Sequence, residues 1–238
     1  MGWKGPKGKT FYWNLAIWVT GFLVMNIYGV PSAIALKSLP PHIVAAFAGW
    51  GIVMLVFFSF LLLKEKIYPT DYIFSILVIM GIFFLGYFEK THPSVHSFSL
   101  WGMVLLCALP IILFFAGLLK FLTQKVMTVI YSSVSGMSAG LMVVSLRLLV
   151  IKFGYEVSLY FDSLYLYLYI VFALLSFIAL QLALKNGSMI AIGPVQYSAN
   201  IIYPAASTLL VFQESLHPIQ VLAVAAIIYA VINILKKH

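Results

Sequence analysis

Eight long apolar runs constrain this chain more than any other feature. They are Phe11–Leu36, Pro41–Leu63, Tyr72–Phe88, Phe98–Leu119, Val126–Ile151, Leu164–Leu184, Met189–Phe212 and Ile219–Leu235. A helix that crosses a bilayer needs about 20 mainly apolar residues, so the third and eighth runs are short but admissible. Because backbone polar groups cannot stay unpaired in lipid, and because β-barrel alternation is absent, the runs predict helices. The predicted fold is all-α: a polytopic membrane protein with eight transmembrane helices.

Composition supports the same class. The chain is 63% hydrophobic and 8% charged, too few charged residues to cover a soluble domain of 238 residues. The formal net charge of +8 does not indicate nucleic-acid binding, because most basic residues stand at the ends of the apolar runs. The single cysteine, Cys107, lies inside an apolar run and makes no intrachain disulfide.

The distribution of basic residues predicts an orientation. If the N-terminus is cytoplasmic and the eight runs alternate in direction, ten of the 14 lysines and arginines face the cytoplasm. The remaining four, Lys37, Lys90, Arg147 and Lys152, face the other side. This positive-inside bias predicts a multi-pass protein of the cell or inner membrane, with both its N- and C-termini in the cytoplasm.

A weak internal repeat relates the two parts of the chain. Ala35-Leu36-Lys37, Ser59-x-Leu61-Leu62, Glu65 and Pro69 recur as Ala183-Leu184-Lys185, Ser207-x-Leu209-Leu210, Glu214 and Pro218. The offset of 148 residues becomes 149 after the leucines, so one residue is inserted. Runs 1 to 3 then match runs 6 to 8, and a displacement of five helices predicts an inverted repeat.

The repeat gives a domain organisation. We expect one membrane domain over residues 1–238, with a truncated first repeat of three helices over 11–90. A complete second repeat of five helices would cover 98–236.

These features together resemble the drug/metabolite transporter superfamily. The helices that end in Ala-Leu-Lys and the charged Glu-x(3)-Pro turns carry the resemblance, and Lys64-Glu65-Lys66 with Pro69, Asp71 and Gly81 resembles the end of an EamA-type half. Met189–Glu214, with an early Gly193-Pro194 and a final glutamate, is similar to a helix of NIPA-type magnesium transporters. The resemblance implies ten helices, of which this chain would lack the first two, and those helices help to line the central cavity of the family.

The seventh run contains the clearest candidate site. Gln196, Asn200, Tyr203 and Ser207 are spaced four, three and four residues apart, so they share one helix face. Tyr197 flanks this polar stripe, and Pro194 and Pro204 free backbone carbonyls that can bind a polar ligand. We predict that the stripe lines a substrate cavity, and interhelical hydrogen bonding is the alternative. Asn26 in the first run also needs a partner at membrane depth.

The fifth run adds further candidates. Tyr131 and Ser135 would face the cavity opposite the polar stripe, whereas Gly136-x-x-x-Gly140 is typical of close helix packing. Arg147, the only arginine, lies about one turn inside the outer end of this run. A side chain that extends to the surface is the ordinary interpretation, and a clamp for a carboxylate or phosphate is the alternative.

Several classes of function need residue types or motifs that the apolar runs lack. All six acidic residues and all five histidines stand at or beyond the ends of the runs, and no metal-ligand cluster, phosphate loop or nucleophile–base pair appears. We therefore predict no enzyme activity, no catalytic residue, no cofactor and no metal site. The expected function is transport of a small polar or amphiphilic metabolite by alternating access. A NIPA-like divalent cation transporter and a non-transporting membrane scaffold or subunit are the alternatives.

The expected partners are a small-molecule substrate and the lipid bilayer, without nucleic acid. If the leading helices are missing, one flank of the cavity is uncovered. A second copy of the chain or a small helical partner would cover that flank, or an amphiphilic substrate would enter through it.

Overall fold

A computed structural model describes residues 12–13, 16, 19–20, 29–37, 39, 41–47, 69–88, 99–118, 122–154, 156–213 and 217–235. The helices in this part of the chain are α1 (Gly29–Leu36), α2 (Pro41–Phe47), α3 (Pro69–Tyr87), α4 (Leu100–Ala116), α5 (Gln124–Phe153), α6 (Val157–Tyr160), α7 (Leu164–Asn186), α8 (Met189–Leu210) and α9 (Pro218–Leu235). These residues contain no strand, so the all-α prediction is confirmed for the described part of the chain.

The longest described helix, α5, is the centre of the fold. Thr123 caps its first turn by accepting a hydrogen bond from the Val126 amide, and Gly154, with φ 61°, follows its last residue. Its 30 residues give a length of about 45 Å, more than the hydrocarbon thickness of a bilayer. α5 packs against α1, α2, α4, α6, α7 and α8. As a result 78% of its apolar segment is buried inside the protein.

A second group of helices covers the other side of α8. There α3 and α9 pack together, and Val78 and Leu85 of α3 join Ala223 and Ile227 of α9 in one buried cluster. Ile201 of α8 completes this cluster. α8 is therefore enclosed by α5 on one face and by α3 and α9 on another, so its side chains face protein on both sides.

Three of the described helices are long and apolar enough to cross a membrane: Leu100–Gly117, Gln124–Phe153 and Leu164–Asn186. The third and eighth apolar runs correspond to the shorter apolar helices Tyr72–Tyr87 and Pro218–Ala230. α8 has 22 residues, but its polar side chains and prolines lower its apolarity. Much of the first two runs lies outside the described residues, so the count of eight spans remains a prediction.

Part of the repeat can be compared directly. Pro69 and Pro218 each occupy the first position of a helix, where a missing N–H is tolerated. The two helices that they begin, α3 and α9, pack against one another. Ser59, Leu61, Glu65 and Glu214 lie outside the described residues, and the inverted repeat therefore remains a prediction.

Candidate binding site

Two prolines divide α8 into segments. Pro194 and Pro204 lie inside the helix, and neither has the N–H that would bond to the carbonyl four residues earlier. The carbonyls that lose their ordinary helical donor belong to Ile190 and Asn200. The part of α8 that carries most of the polar stripe thus lies between two points of weakened backbone bonding.

Two glycines of α5 allow α8 to approach closely. A Cβ at Gly136 would overlap the carbonyl oxygen of Gln196 and lie 2.7 Å from the Cβ of Ala199. A Cβ at Gly140 would lie 2.8 Å from the Cδ of Pro204. The predicted packing role of the two glycines is therefore confirmed, and the neighbour that they admit is α8.

A short polar network joins α8, α5 and α7. Gln196 Nε2 donates to Ser135 Oγ over 3.1 Å, and Ser176 Oγ of α7 donates to the Ser135 carbonyl over 2.9 Å. The two serine hydroxyl oxygens are 3.4 Å apart. The structure thus joins Gln196 to Ser135 by an interhelical hydrogen bond, which was the alternative to a cavity-lining role, and adds Ser176, a small polar residue in an apolar run.

Asn200 lies one turn beyond Gln196 on the same face of α8. Its Oδ1 is shielded from solvent and accepts no hydrogen bond from the described residues. The hydroxyls of Ser138, Ser145 and Ser198 are also buried without a partner in this part of the chain. Buried polar groups in folded proteins nearly always have a partner, so these atoms are candidates for contact with a ligand or with residues outside the described part of the chain.

Tyr203 has a structural partner. Its hydroxyl donates a 2.6 Å hydrogen bond to the carbonyl of Leu106 in α4. That carbonyl lacks its ordinary helical donor, because residue 110 is a proline inside α4. Tyr203 therefore supplies the donor that Pro110 removes, and its hydroxyl is occupied within the protein.

The last member of the polar stripe is bonded within its own helix. Ser207 Oγ donates to the Pro204 carbonyl over 2.6 Å, and Thr208 Oγ1 donates to the same oxygen over 3.1 Å. Such bonds to an earlier carbonyl are common for hydroxyl side chains in helices. Ser207 thus stabilises the backbone next to Pro204, and its hydroxyl is not directed at Gln196 or Asn200.

Two further tyrosines of the predicted site, one from α5 and one from α8, lie in different apolar clusters. Tyr131 is buried between Leu180 of α7 and Ile192 of α8, with its ring 6.0 Å from that of Phe114. Tyr197 packs against the cluster formed by α3 and α9, away from Gln196. The predicted site residues therefore separate into one polar group near Ser135 and tyrosines that pack elsewhere.

Arg147 is buried, with 2% of its side chain exposed. Its Nη1 donates a 2.6 Å hydrogen bond to the carbonyl of Leu39, between α1 and α2, and its guanidinium lies 5.6 Å from the ring centre of Phe212. The expectation that Arg147 extends to the surface is wrong, because the α1–α2 connection and the end of α8 cover it. The anion-clamp hypothesis is not tested by this geometry.

Sequence reasoning also missed Gln220. This buried side chain donates from Nε2 to the Leu85 carbonyl over 3.1 Å and accepts from the His217 amide over 2.8 Å through Oε1. It ties the start of α9 to the end of α3. The sequence feature that could have identified this residue is an amide side chain in an apolar run, directly after a turn. Asn26, the remaining predicted site residue, lies outside the described residues.

The described residues contain no group of three or more His, Cys, Asp or Glu side chains that would hold a metal ion. No family model, curated protein or solved structure shows a significant match to the chain.

Proposed function

We propose that the chain is a polytopic membrane protein that transports a small polar or amphiphilic metabolite by alternating access. In this proposal α4, α5 and α7 cross the bilayer, and α8 contributes the substrate-binding face. The observation that carries the proposal is the buried Oδ1 of Asn200, which has no partner among the described residues. We also retain the predicted relationship to the drug/metabolite transporter superfamily as a proposal.

The free-energy cost of burying an unpaired amide oxygen supports a role for Asn200 beyond packing. An unpaired buried amide oxygen costs about 1–3 kcal/mol, and hydrocarbon surroundings offer no water to satisfy it. Packing alone would favour an apolar side chain of similar size at this position. A polar ligand that binds at Asn200 would satisfy the oxygen and offset its desolvation.

The neighbouring network supports a defined binding geometry. Gln196 is held by Ser135, which is in turn bonded to Ser176 of α7. The amide groups of Gln196 and Asn200 follow one another by one turn of α8, and the backbone carbonyl of Gln196 packs against Gly136 of α5. A substrate bound at this part of α8 would therefore contact a positioned amide and an acceptor that has no partner among the described residues.

The prolines support the conformational part of the proposal. Alternating access requires helices that bend or move around a fixed site, and discontinuous helices commonly form such sites in transporters. Pro194 and Pro204 weaken the backbone ladder of α8 on either side of Asn200. We infer that α8 bends at these points as the site changes its exposure.

A non-transporting scaffold or subunit is the second candidate. It is favoured by Tyr203 and Ser207, whose hydroxyls are both bonded within the protein. The NIPA-like cation transporter has less support, because Mg²⁺ favours carboxylate ligands and the described residues contain no cluster of acidic side chains.

Uptake into liposomes tests transport. The purified chain is reconstituted with a labelled mixture of amines, amides, polyols, carboxylates and amphiphiles, and the wild type is compared with Asn200→Ala. We expect time-dependent accumulation of at least one compound, which Asn200→Ala reduces by about tenfold or more. Asn233→Ala is the matched control, because Asn233 Nδ2 already bonds to the Tyr229 carbonyl of its own helix.

Folding must be measured in the same preparations. Equal melting temperatures for the wild type and both variants would assign the loss of uptake to the site. A wild-type protein that accumulates none of the compounds in either membrane orientation contradicts the transport proposal and favours the scaffold.

A further inference from the structure

The hydrogen-bonding atoms of Asn200 indicate which class of ligand would bind there. This inference rests on the proposed substrate site. Two acceptor oxygens of one residue lack their ordinary donors. The side-chain Oδ1 is buried without a partner among the described residues. The backbone carbonyl of the same residue has lost its helical N–H donor because residue 204 is a proline.

In α4 the fold supplies a new donor to a carbonyl that a proline has deprived of its helical donor. Pro110 leaves the Leu106 carbonyl without its helical donor, and the Tyr203 hydroxyl from α8 supplies one over 2.6 Å. Ser207 and Thr208 both donate to the Pro204 carbonyl, and each of those bonds falls one turn beyond the Asn200 carbonyl. Gln196 Nε2, the nearest amide donor on the stripe, is committed to Ser135.

The charged side chains near Asn200, or their absence from α8, bear on the charge of the ligand that suits the site. α8 contains no charged residue between Met189 and Leu210. Arg147 of α5 donates instead to Leu39 and stacks on Phe212. Carbonyl oxygens carry partial negative charge, and hydrogen bonds from a charged donor are stronger than those from a neutral one.

We propose that Asn200 binds the primary ammonium group of the transported molecule, with Oδ1 and the backbone carbonyl accepting its N–H donors. The two oxygens belong to one residue, so a single ammonium group can donate to both with two of its three N–H bonds. A carboxylate or phosphate at the same position would face two acceptors, with the Asn200 Nδ2 group as its one amide donor, so an ammonium group fits the two oxygens better.

Three probes with four carbons in the main chain separate the chemistries: n-butylammonium, n-butyltrimethylammonium and n-butyrate. Their dissociation constants are measured from the melting temperature of the full chain in lipid nanodiscs. We expect n-butylammonium to raise the melting temperature by about 3 °C or more at saturation. The trimethyl probe keeps the charge but has no N–H donor, and we expect it to bind about tenfold more weakly or worse. We expect no binding of n-butyrate.

Two variants identify the oxygens. Asn200→Leu removes Oδ1, and we expect it to weaken n-butylammonium binding about tenfold or more. Pro204→Ala restores the N–H that bonds to the Asn200 carbonyl, and we expect about three- to tenfold weaker binding. Pro110→Ala is the matched control, because the Leu106 carbonyl already has a donor, and its affinity for the probe should equal that of the wild type. If Asn200→Leu fails to fold, Pro204→Ala still tests the site.

Equal binding of the ammonium and trimethyl probes would overturn the proposal, as would preferential binding of n-butyrate or the absence of any shift. Unchanged affinity in both Asn200→Leu and Pro204→Ala would overturn it too. These outcomes differ from a failure of transport. Uptake of an anionic compound alone would keep transport and reject the ammonium site, whereas selective ammonium binding without uptake of any compound would keep the site and reject transport.

Discussion

The Tyr203 hydroxyl donates to the Leu106 carbonyl, the oxygen that Pro110 deprives of its helical donor. One side chain of α8 thus supplies the hydrogen-bond donor that the backbone of α4 lacks. Because both groups are buried, neither has water as an alternative partner. The relationship explains why a tyrosine of the polar stripe contributes to stability, and it yields a thermodynamic test.

We expect Tyr203→Phe to lower the free energy of unfolding by about 1 kcal/mol, because the Leu106 carbonyl loses its donor. In the Pro110→Ala background residue 110 supplies an N–H, so the same substitution should cost less. The measurement is a double-mutant cycle on melting temperatures in one detergent. Equal costs of Tyr203→Phe in the two backgrounds would contradict the proposed repair.

Gly136→Ala should separate α5 from α8. The new Cβ would overlap the Gln196 carbonyl, so we expect a loss of about 2 kcal/mol of stability from this overpacked contact. Gly86→Ala in α3 is the matched control, since a Cβ there meets nothing within 4 Å. Removing a flexible glycine from a helix should leave that control as stable as the wild type or slightly more stable. Similar melting temperatures for the two variants would show that α8 does not approach α5 this closely.

Arg147→Lys tests the buried tie between α5, Leu39 and Phe212. Lysine is more strongly hydrated and lacks the planar guanidinium that stacks on the ring, so we expect a loss of about 2 kcal/mol. The reciprocal control is Lys152→Arg, at an exposed position near the ring of Phe153, where we expect a change within about 0.5 kcal/mol. A lysine variant as stable as the wild type would restore the interpretation that residue 147 reaches the surface.

The predicted topology can be tested at two described positions, both of them exposed. In a Cys107→Ala background, Ser158→Cys in α6 should react with an impermeant thiol reagent added outside intact cells, because the distribution of basic residues predicts that this segment lies outside. Gln124→Cys, at the first residue of α5, should react only after the cells are opened. The reverse pattern would invert the orientation, and labelling of both sites from outside would contradict the predicted single crossing by α5.

The periodic and compositional features were predictable from the sequence. The fifth run was expected over Val126–Ile151, and α5 extends it to Gln124–Phe153. The difference arises because Thr123 and Gly154 terminate the helix, while an apolar run ends where side-chain polarity changes. The small-residue pattern of Gly136 and Gly140 likewise indicated close packing without naming the partner.

The pairings could not be predicted, since they depend on the register between distant helices. Gln196 had several serines of α5 as candidate partners, and the close approach at Gly136 selects Ser135. Tyr203 bonds to a backbone oxygen, which no side-chain pattern identifies. Arg147 had enough length to reach the surface, but a turn more than 100 residues earlier covers it. The sequence around Arg147 does not indicate that this distant turn will cover the side chain.

The central position of α5 has a consequence for biogenesis. If α5 crosses a membrane as proposed, its serines and arginine, which are enclosed in the finished protein, would be exposed to lipid when the helix first leaves the translocon. Its polar contacts with other helices and turns come from Leu39, made long before it, and from Ser176 and then Gln196, made after it. We therefore expect α5 to remain beside the insertion machinery until α7 emerges, so that the two helices enter the bilayer as one hairpin.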